Sequence, residues 1–183
     1  EMGFKEVKNM PSMYHNREHK VTVPCHVDDP LVKARGRENT MWFHNTINKL
    51  FDTKGMKILS KDESLEYLST IIAMNANGDI LLHNKPRIQK WLEEKGLQDC
   101  NPVKEPITET ILEMLHDNQM SETKATDEEY AMAAKWLGEA NWLNQTTPPI
   151  LATACSLYSS YVNARVAGIH VGMKHFWKFI KGV

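Results

Sequence analysis

Residues 15–19 match the pattern H-x-x-E-H, in which a glutamate lies between two histidines. On a helix, His15 and His19 would lie one turn apart, and both could bind zinc through imidazole nitrogens. Glu18 would then act as general base toward a zinc-bound water. The pattern therefore allows a zinc-binding hydrolase that uses His15, Glu18 and His19.

The surroundings of this pattern are unfavourable for a zinc site. The segment is interrupted by prolines and has no helical period, whereas the chemistry needs ligands on a rigid helix. Cys25 with His26, or Asp28, could complete a structural zinc site instead. We predict no metal and no cofactor, and we keep His15, His19, Cys25 and His26 as the alternative ligand set.

Arg165 and His170 form a second pair with chemical potential, because they are separated by four residues. This R-x4-H pattern resembles the motif of HEPN ribonucleases, all-helical proteins that carry it on a late helix. The resemblance covers these two residues only, and Val166 departs from the polar residue usual after the arginine. It implies that Arg165 would hold the scissile phosphate and that His170 would act in acid–base transfer. A metal-independent helical ribonuclease is therefore an alternative function.

The end of the chain interleaves basic and aromatic residues. Basic side chains contact phosphates and aromatic rings stack on nucleobases, so the pattern favours single-stranded nucleic acid as a partner. It is also similar to an interfacial membrane anchor. The residues that we predict to contact nucleic acid are Arg35, Arg37, Arg165, Lys174, Trp177, Lys178 and Lys181.

The charges of the chain are unevenly distributed. Residues 1–37 carry a net charge of +2 and residues 163–183 carry +4, which leaves −7 for the middle of a chain whose total is −1. Basic ends on an acidic body favour a polyanionic partner or head-to-tail self-association.

Composition and cysteine content indicate an intracellular globular protein. Hydrophobic residues make up 42% and charged residues 25% of 183 residues, which fits one domain of ordinary size. No uncharged apolar stretch reaches the roughly 18 residues of a membrane span, and the beginning has no signal region. The first residue is Glu1, so we expect a fragment or a processed chain. Three widely spaced cysteines predict a reducing compartment, with Cys155 as a buried thiol.

The helical signals predict an all-α fold, a bundle of five to seven helices. We expect residues 1–37 to form an extended arm, with at most a short strand at 20–23, and residues 38–183 to form the helical domain. Capping patterns predict helices that begin near Ser60, Asn84, Thr108 and Thr126. The pattern Ser60-Lys61-Asp62-Glu63 in particular predicts a helix through the following Leu and Ile residues.

The C-terminal segment carries the longest apolar period in the sequence. Nine apolar residues follow one another in steps of three and four from Leu151 to Ile180, after a start at Thr147-Pro148-Pro149. One helix of this length would measure about 48 Å at about 1.5 Å per residue. We therefore predict a long C-terminal helix that extends beyond its own domain or packs on another subunit.

A row of small residues at Ser160, Ala164, Gly168 and Gly172 lies on the same segment. Such a row allows another backbone to approach closely, either within the chain or from a second subunit, and we predict a subunit contact.

No phosphate-binding loop or nucleophile elbow is present in the sequence. The sequence therefore favours a non-enzymatic, self-associating nucleic-acid-binding protein, such as a nucleoprotein or a virion coat subunit.

Overall fold

The computed structural model describes residues 2–53, 55–145 and 150–183. Within them it contains six helices (45%) and two antiparallel sheets (19% strand), so the fold is mixed α/β. The helices are α1 (Arg37–Ile47), α2 (Lys85–Glu94), α3 (Glu109–Met120), α4 (Asp127–Asn144), α5 (Ile150–Asn163) and α6 (Ile169–Gly182). The strands are β1 (Lys5–Val7), β2 (Met10–Asn16), β3 (Val21–His26), β4 (Asp29–Pro30), β5 (Lys33–Ala34), β6 (Leu65–Tyr67), β7 (Thr70–Met74) and β8 (Ile80–His83). The prediction of an all-α bundle is wrong.

The chain divides into two compact units, Glu1–Leu68 with Ile72–Asp79 and Ser69–Ile71 with Ile80–Val183. The first, here the sheet unit, contains the strand order β1-β2-β3-β4, with β5 also paired to β3. The second, here the helical unit, contains α2 to α6. The division of the chain into domains at residue 37 stays a prediction.

The N-terminal segment is not the extended arm that we predicted, because its strands pair in a sheet whose apolar face packs against α1. Val21 and Val23 on β3 are buried together with Phe43 on α1. The β-branched residues at alternate positions give β3 one apolar face, and α1 covers that face. The prolines of this segment interrupt a helical period, but they are compatible with short paired strands. The predicted short strand at residues 20–23 corresponds to the beginning of β3.

The predicted helix after Ser60 is also absent: Leu65 lies in β6, Ile71 and Ile72 lie in β7, and Leu68 lies in the turn between the two strands. The local capping geometry nevertheless forms, because Ser60 Oγ accepts the N–H groups of Asp62 and Glu63 at 3.3 and 3.1 Å. Leu68 and Ser69 then adopt positive φ angles of 49° and 64°, which turn the chain between the two strands. Strand pairing overrides the capping signal here, since the capping bonds fix only one turn.

The helical unit has a continuous apolar core formed by α2 to α6. The caps that we predicted at Thr108 and Thr126 are confirmed, since Thr108 accepts from Ile111 N and Thr126 forms a reciprocal capping box with Glu129. Cys155 is 2% exposed, which confirms the predicted buried thiol. Trp177 is fully buried, and its Nε1 donates to the carbonyl of Trp136 at 3.2 Å.

The predicted long C-terminal helix is broken into α5 and α6. Arg165 has φ 55° and Gly168 has φ 78°, and these left-handed conformations interrupt the helical backbone between α5 and α6. Two backbone hydrogen bonds hold the connection in place: the N–H of Ala125 donates to Arg165 O at 2.7 Å, and the N–H of Ala167 donates to Thr123 O at 3.1 Å. The apolar period continues across the break because Val166 in the connection is buried too. The predicted start at residues 147–149 lies outside the described residues.

Within the part of the chain that is described, no helix is long and apolar enough to cross a membrane.

Candidate functional site

The sheet unit carries a row of polar side chains across four neighbouring strands. In the strand registers, Lys5 on β1 pairs with His15 on β2, His15 pairs with Thr22 on β3, and Thr22 pairs with Lys33 on β5. Directly paired residues project from the same face of a sheet. The four side chains therefore form one line, here called the cross-strand row, with a lysine at each end.

The cross-strand row lies on the face of the sheet opposite α1. Val21 and Val23 flank Thr22 on β3 and pack against Phe43, and successive side chains of a strand point to opposite faces. Lys5 and Lys33 are exposed at the two ends. In the middle, His15 Nδ1 and Thr22 Oγ1 share a hydrogen bond of 2.9 Å. This face thus presents one exposed lysine at each end and a hydrogen-bonded pair of side chains, His15 and Thr22, between them.

Arg35 adds a further cation beside the row. Its backbone N–H donates to Lys20 O at 3.3 Å, which continues the β3–β5 pairing by one step, and both side chains are exposed. Arg37 is exposed at the beginning of α1. Among the described residues, no ion pair neutralises these four cations: Lys5, Lys33, Arg35 and Arg37.

The C-terminal residues that we predicted to contact nucleic acid do not form one exposed surface. Trp177 is fully buried, so its ring has no free face for a base. Lys181 Nζ donates to the backbone carbonyls of Gln98 and Cys100, two residues in the segment that follows α2. Lys174 is exposed and Lys178 is half-buried. The helix α6, which carries these residues, therefore contributes mainly to the core of the helical unit.

The H-x-x-E-H residues lie on a strand and a turn rather than on a helix. His15 is on β2, whereas His19 lies in the turn before β3 and stacks on Trp42, with ring centroids 3.5 Å apart. Cys25 Sγ donates to the carbonyl of Val27 at 3.4 Å. In the described part of the chain, no three His, Cys, Asp or Glu residues come together as a metal site.

Arg165 and His170 both contact the first turn of α4. Arg165 Nη1 lies 3.2 Å from Asp127 Oδ1, and its guanidinium lies 4.2 Å from the centroid of the Tyr130 ring. His170 Nδ1 lies 2.8 Å from Glu129 Oε1. These contacts connect α6 and the preceding connection to the beginning of α4, which gives both residues a structural role.

The small residues of the C-terminal segment lie on α5, on α6 and in the connection between them, and its two glycines approach side chains of their own chain. A Cβ at Gly172 would lie 2.8 Å from Tyr158 Cε1, and one at Gly168 would lie 3.1 Å from Met114 Cε. Ala164, directly after α5, is partly buried, and Ser160 is exposed, with its Oγ donating to Leu157 O. The close backbone approach at the two glycines is therefore intramolecular.

Sequence reasoning did not single out Lys5, Thr22 or Lys33. The alternation of Val21, Thr22 and Val23 is the only local signal for the face that carries the cross-strand row. This alternation does not predict which residues of the other strands pair with Thr22. No protein-family model, no curated protein and no solved structure matches the chain.

Proposed function

We propose that this protein binds single-stranded nucleic acid without catalysing a reaction, through the cross-strand row and the neighbouring Arg35. The observation that carries the proposal is the register that places Lys5 and Lys33 at the two ends of one exposed sheet face. Paired neighbouring strands lie about 4.8 Å apart, so three steps separate the two lysines by about 14 Å. That span suits two separate phosphates of one strand.

The chemistry of this face favours phosphates over a neutral ligand. Lys5, Lys33 and Arg35 provide three exposed cations, while Glu6 on β1 pairs with Tyr14 and so projects from the opposite face. Contacts of this type do not distinguish one nucleotide sequence from another, because they are made to the phosphates of the nucleic-acid backbone. Three phosphate contacts would give a slope of about −2 in a plot of log K against log salt concentration for a single strand.

The test is fluorescence anisotropy of a labelled single-stranded RNA titrated with the protein at several salt concentrations. The variant Lys5→Glu/Lys33→Glu should abolish binding, because it reverses the charge at both ends of the row. The matched control is Lys90→Glu/Lys104→Glu, which makes the same charge change at two exposed lysines of the helical unit. The control should bind with nearly the affinity of the unaltered protein.

Two outcomes would reject the proposal. The first is an unaltered protein that does not bind RNA at low salt. The second is an equal loss of affinity in the control variant, because binding would then follow total charge rather than the sheet face.

We also propose that the protein self-associates, as a nucleoprotein or coat subunit does, inside cells or in a virion. The three cysteines are free thiols, which supports a reducing compartment. Since Ala164, Gly168 and Gly172 pack within their own chain, the subunit contact would use other surfaces, with exposed Ser160 as the remaining member of the predicted set. Sedimentation velocity with and without RNA tests this, and a protein that stays monomeric at high concentration in both samples would reject it.

A further inference from the structure

Asn77 and Gly78 form the only Asn-Gly pair in the sequence, and they lie in the exposed turn between β7 and β8. We propose that Asn77 is a site of spontaneous deamidation, a covalent modification that converts its side-chain amide into a carboxylate. The inference is independent of the proposed nucleic-acid binding, because it concerns a turn that contributes no residue to the cross-strand row.

The reaction requires a backbone nitrogen that can reach the asparagine side chain. Gly78 N attacks Cγ of Asn77, a new C–N bond closes a five-membered succinimide, and the bond from Cγ to the amide nitrogen breaks. That nitrogen leaves as ammonia with the proton lost from Gly78 N. Water then opens either carbonyl of the imide, which yields aspartate or isoaspartate at position 77.

The surroundings of Gly78 leave open space for this attack. Gly78 has φ 91°, and an added Cβ would have no atom within 4 Å, so the turn has open space around the nucleophile. Its N–H donates to Asn75 O at 3.0 Å, and this single exposed bond must open before the attack. Exposed turn bonds open at low free energy compared with bonds of the core.

Asn75 in the same turn provides an internal contrast. Its Oδ1 accepts the N–H groups of Asn77 and Asp79, both at 2.9 Å, and its Nδ2 donates to Asp79 Oδ2 at 2.8 Å. Asn75 is also followed by Ala76, whose Cβ crowds the attacking nitrogen. No side-chain hydrogen bond holds Asn77 to another described residue. The structure thus separates a restrained asparagine from a free one two residues later.

The experiment incubates the whole protein in mildly alkaline buffer and follows it by isoelectric focusing and peptide mass spectrometry. We expect an acidic band whose formal net charge is one unit below the starting value of −1, with the modification at Asn77 and isoaspartate among the products. Asn77→Gln should remove this band, because glutamine closes the corresponding ring much more slowly. The matched control, Asn75→Gln, should still produce it.

A parallel incubation in urea compares the modification of Asn77 in the unfolded chain with its modification in the folded turn. Modification of Asn77 in the folded protein supports the proposal. Modification that occurs in urea but not in buffer would overturn it, since the bond from Gly78 N to Asn75 O would then protect the site. An acidic band that persists in Asn77→Gln, or that maps to another asparagine, would overturn it as well.

Discussion

Lys95 Nζ lies 4.0 Å from the centroid of the Trp177 ring, in the core of the helical unit. The rings of Trp136 and Trp91 lie 5.3 and 5.8 Å from the same atom. The Lys95 side chain is 2% exposed and forms an ion pair with Glu139, which is 12% exposed. Burial lowers the pKa of Lys95 below its usual range, and the hydrogen bond and charge of Glu139 oppose this shift. Three ring faces and one carboxylate thus compensate a buried cation.

Replacement of Lys95 by methionine should destabilise the protein by about 3 kcal/mol, because Glu139 would be left as a buried charge without its partner. Lys135 Nζ lies 3.9 Å from Glu139 Oε1 and compensates only in part, since its side chain is 64% exposed. The measurement is urea denaturation at neutral pH. The double variant Lys95→Met/Glu139→Gln should be more stable than the single variant, and equal stability of the two would contradict a coupled pair.

Gly172→Ala should destabilise the protein by about 1–3 kcal/mol, the usual effect of overpacking a core. The new methyl group would lie 2.8 Å from Tyr158 Cε1. The Tyr158 ring cannot easily move away, because its hydroxyl donates to Pro106 O and its ring stacks on Phe176 at 5.1 Å. Thermal unfolding followed by circular dichroism measures the loss.

Gly138→Ala is the matched control for this substitution, because Gly138 lies inside α4 with no atom within 4 Å of an added Cβ. It should stabilise the protein by about 0.4–1 kcal/mol through the smaller entropy of the unfolded chain. Equal effects of the two substitutions would mean that helix propensity, rather than contact with Tyr158, decides the outcome at Gly172.

The buried Cys155 thiol should make the free energy of unfolding decrease as the pH rises above 9. Burial raises the pKa of its thiol from 9.0 to about 11, so the folded state keeps a proton that the unfolded state releases. The protonated thiol makes its full contribution to the free energy of unfolding below pH 9.0. This contribution is lost as the pH rises toward 11, by at most about 1.4 kcal/mol per pH unit. Burial also raises the pKa of Tyr158, which acts in the same direction above pH 10.

The pH effect of Cys155 is therefore measured as a difference between the unaltered protein and Cys155→Ala in urea denaturation from pH 8 to pH 10.5. The variant should show the shallower decline. Parallel curves would show that the thiol does not contribute. In addition, Ellman's reagent should label the half-buried Cys25 and Cys100 in the folded protein, and Cys155 only after unfolding.

Thr126→Ala should destabilise the protein by about 1 kcal/mol through loss of an N-cap. Thr126 Oγ1 accepts from Glu129 N at 3.2 Å, and Glu129 Oε2 accepts from Thr126 N at 3.0 Å. Thr110→Ala, an exposed threonine inside α3, is the control and should be nearly neutral. An equal effect at both positions would argue against the capping box as the cause.

Local patterns in the sequence were sufficient to predict several helix beginnings and the C-terminal core. Thr108 and Thr126 cap helices as predicted, because a cap depends on residues within one turn. All nine residues of the C-terminal period are buried, although they belong to two helices and the connection between them. Periodicity reports which residues face the core, and it does not report whether the backbone stays helical between them.

Tertiary structure alone decided the break at Arg165, the pairing of the strands at residues 5–34 and the cross-strand row. The break depends on bonds from the connection to residues 123 and 125, some forty positions away along the chain. The row depends on a register between strands, and a shift of one residue would turn Lys33 or Lys5 to the other face. Pairing energies of this kind come from contacts between distant segments, so the type and spacing of neighbouring residues cannot reveal them.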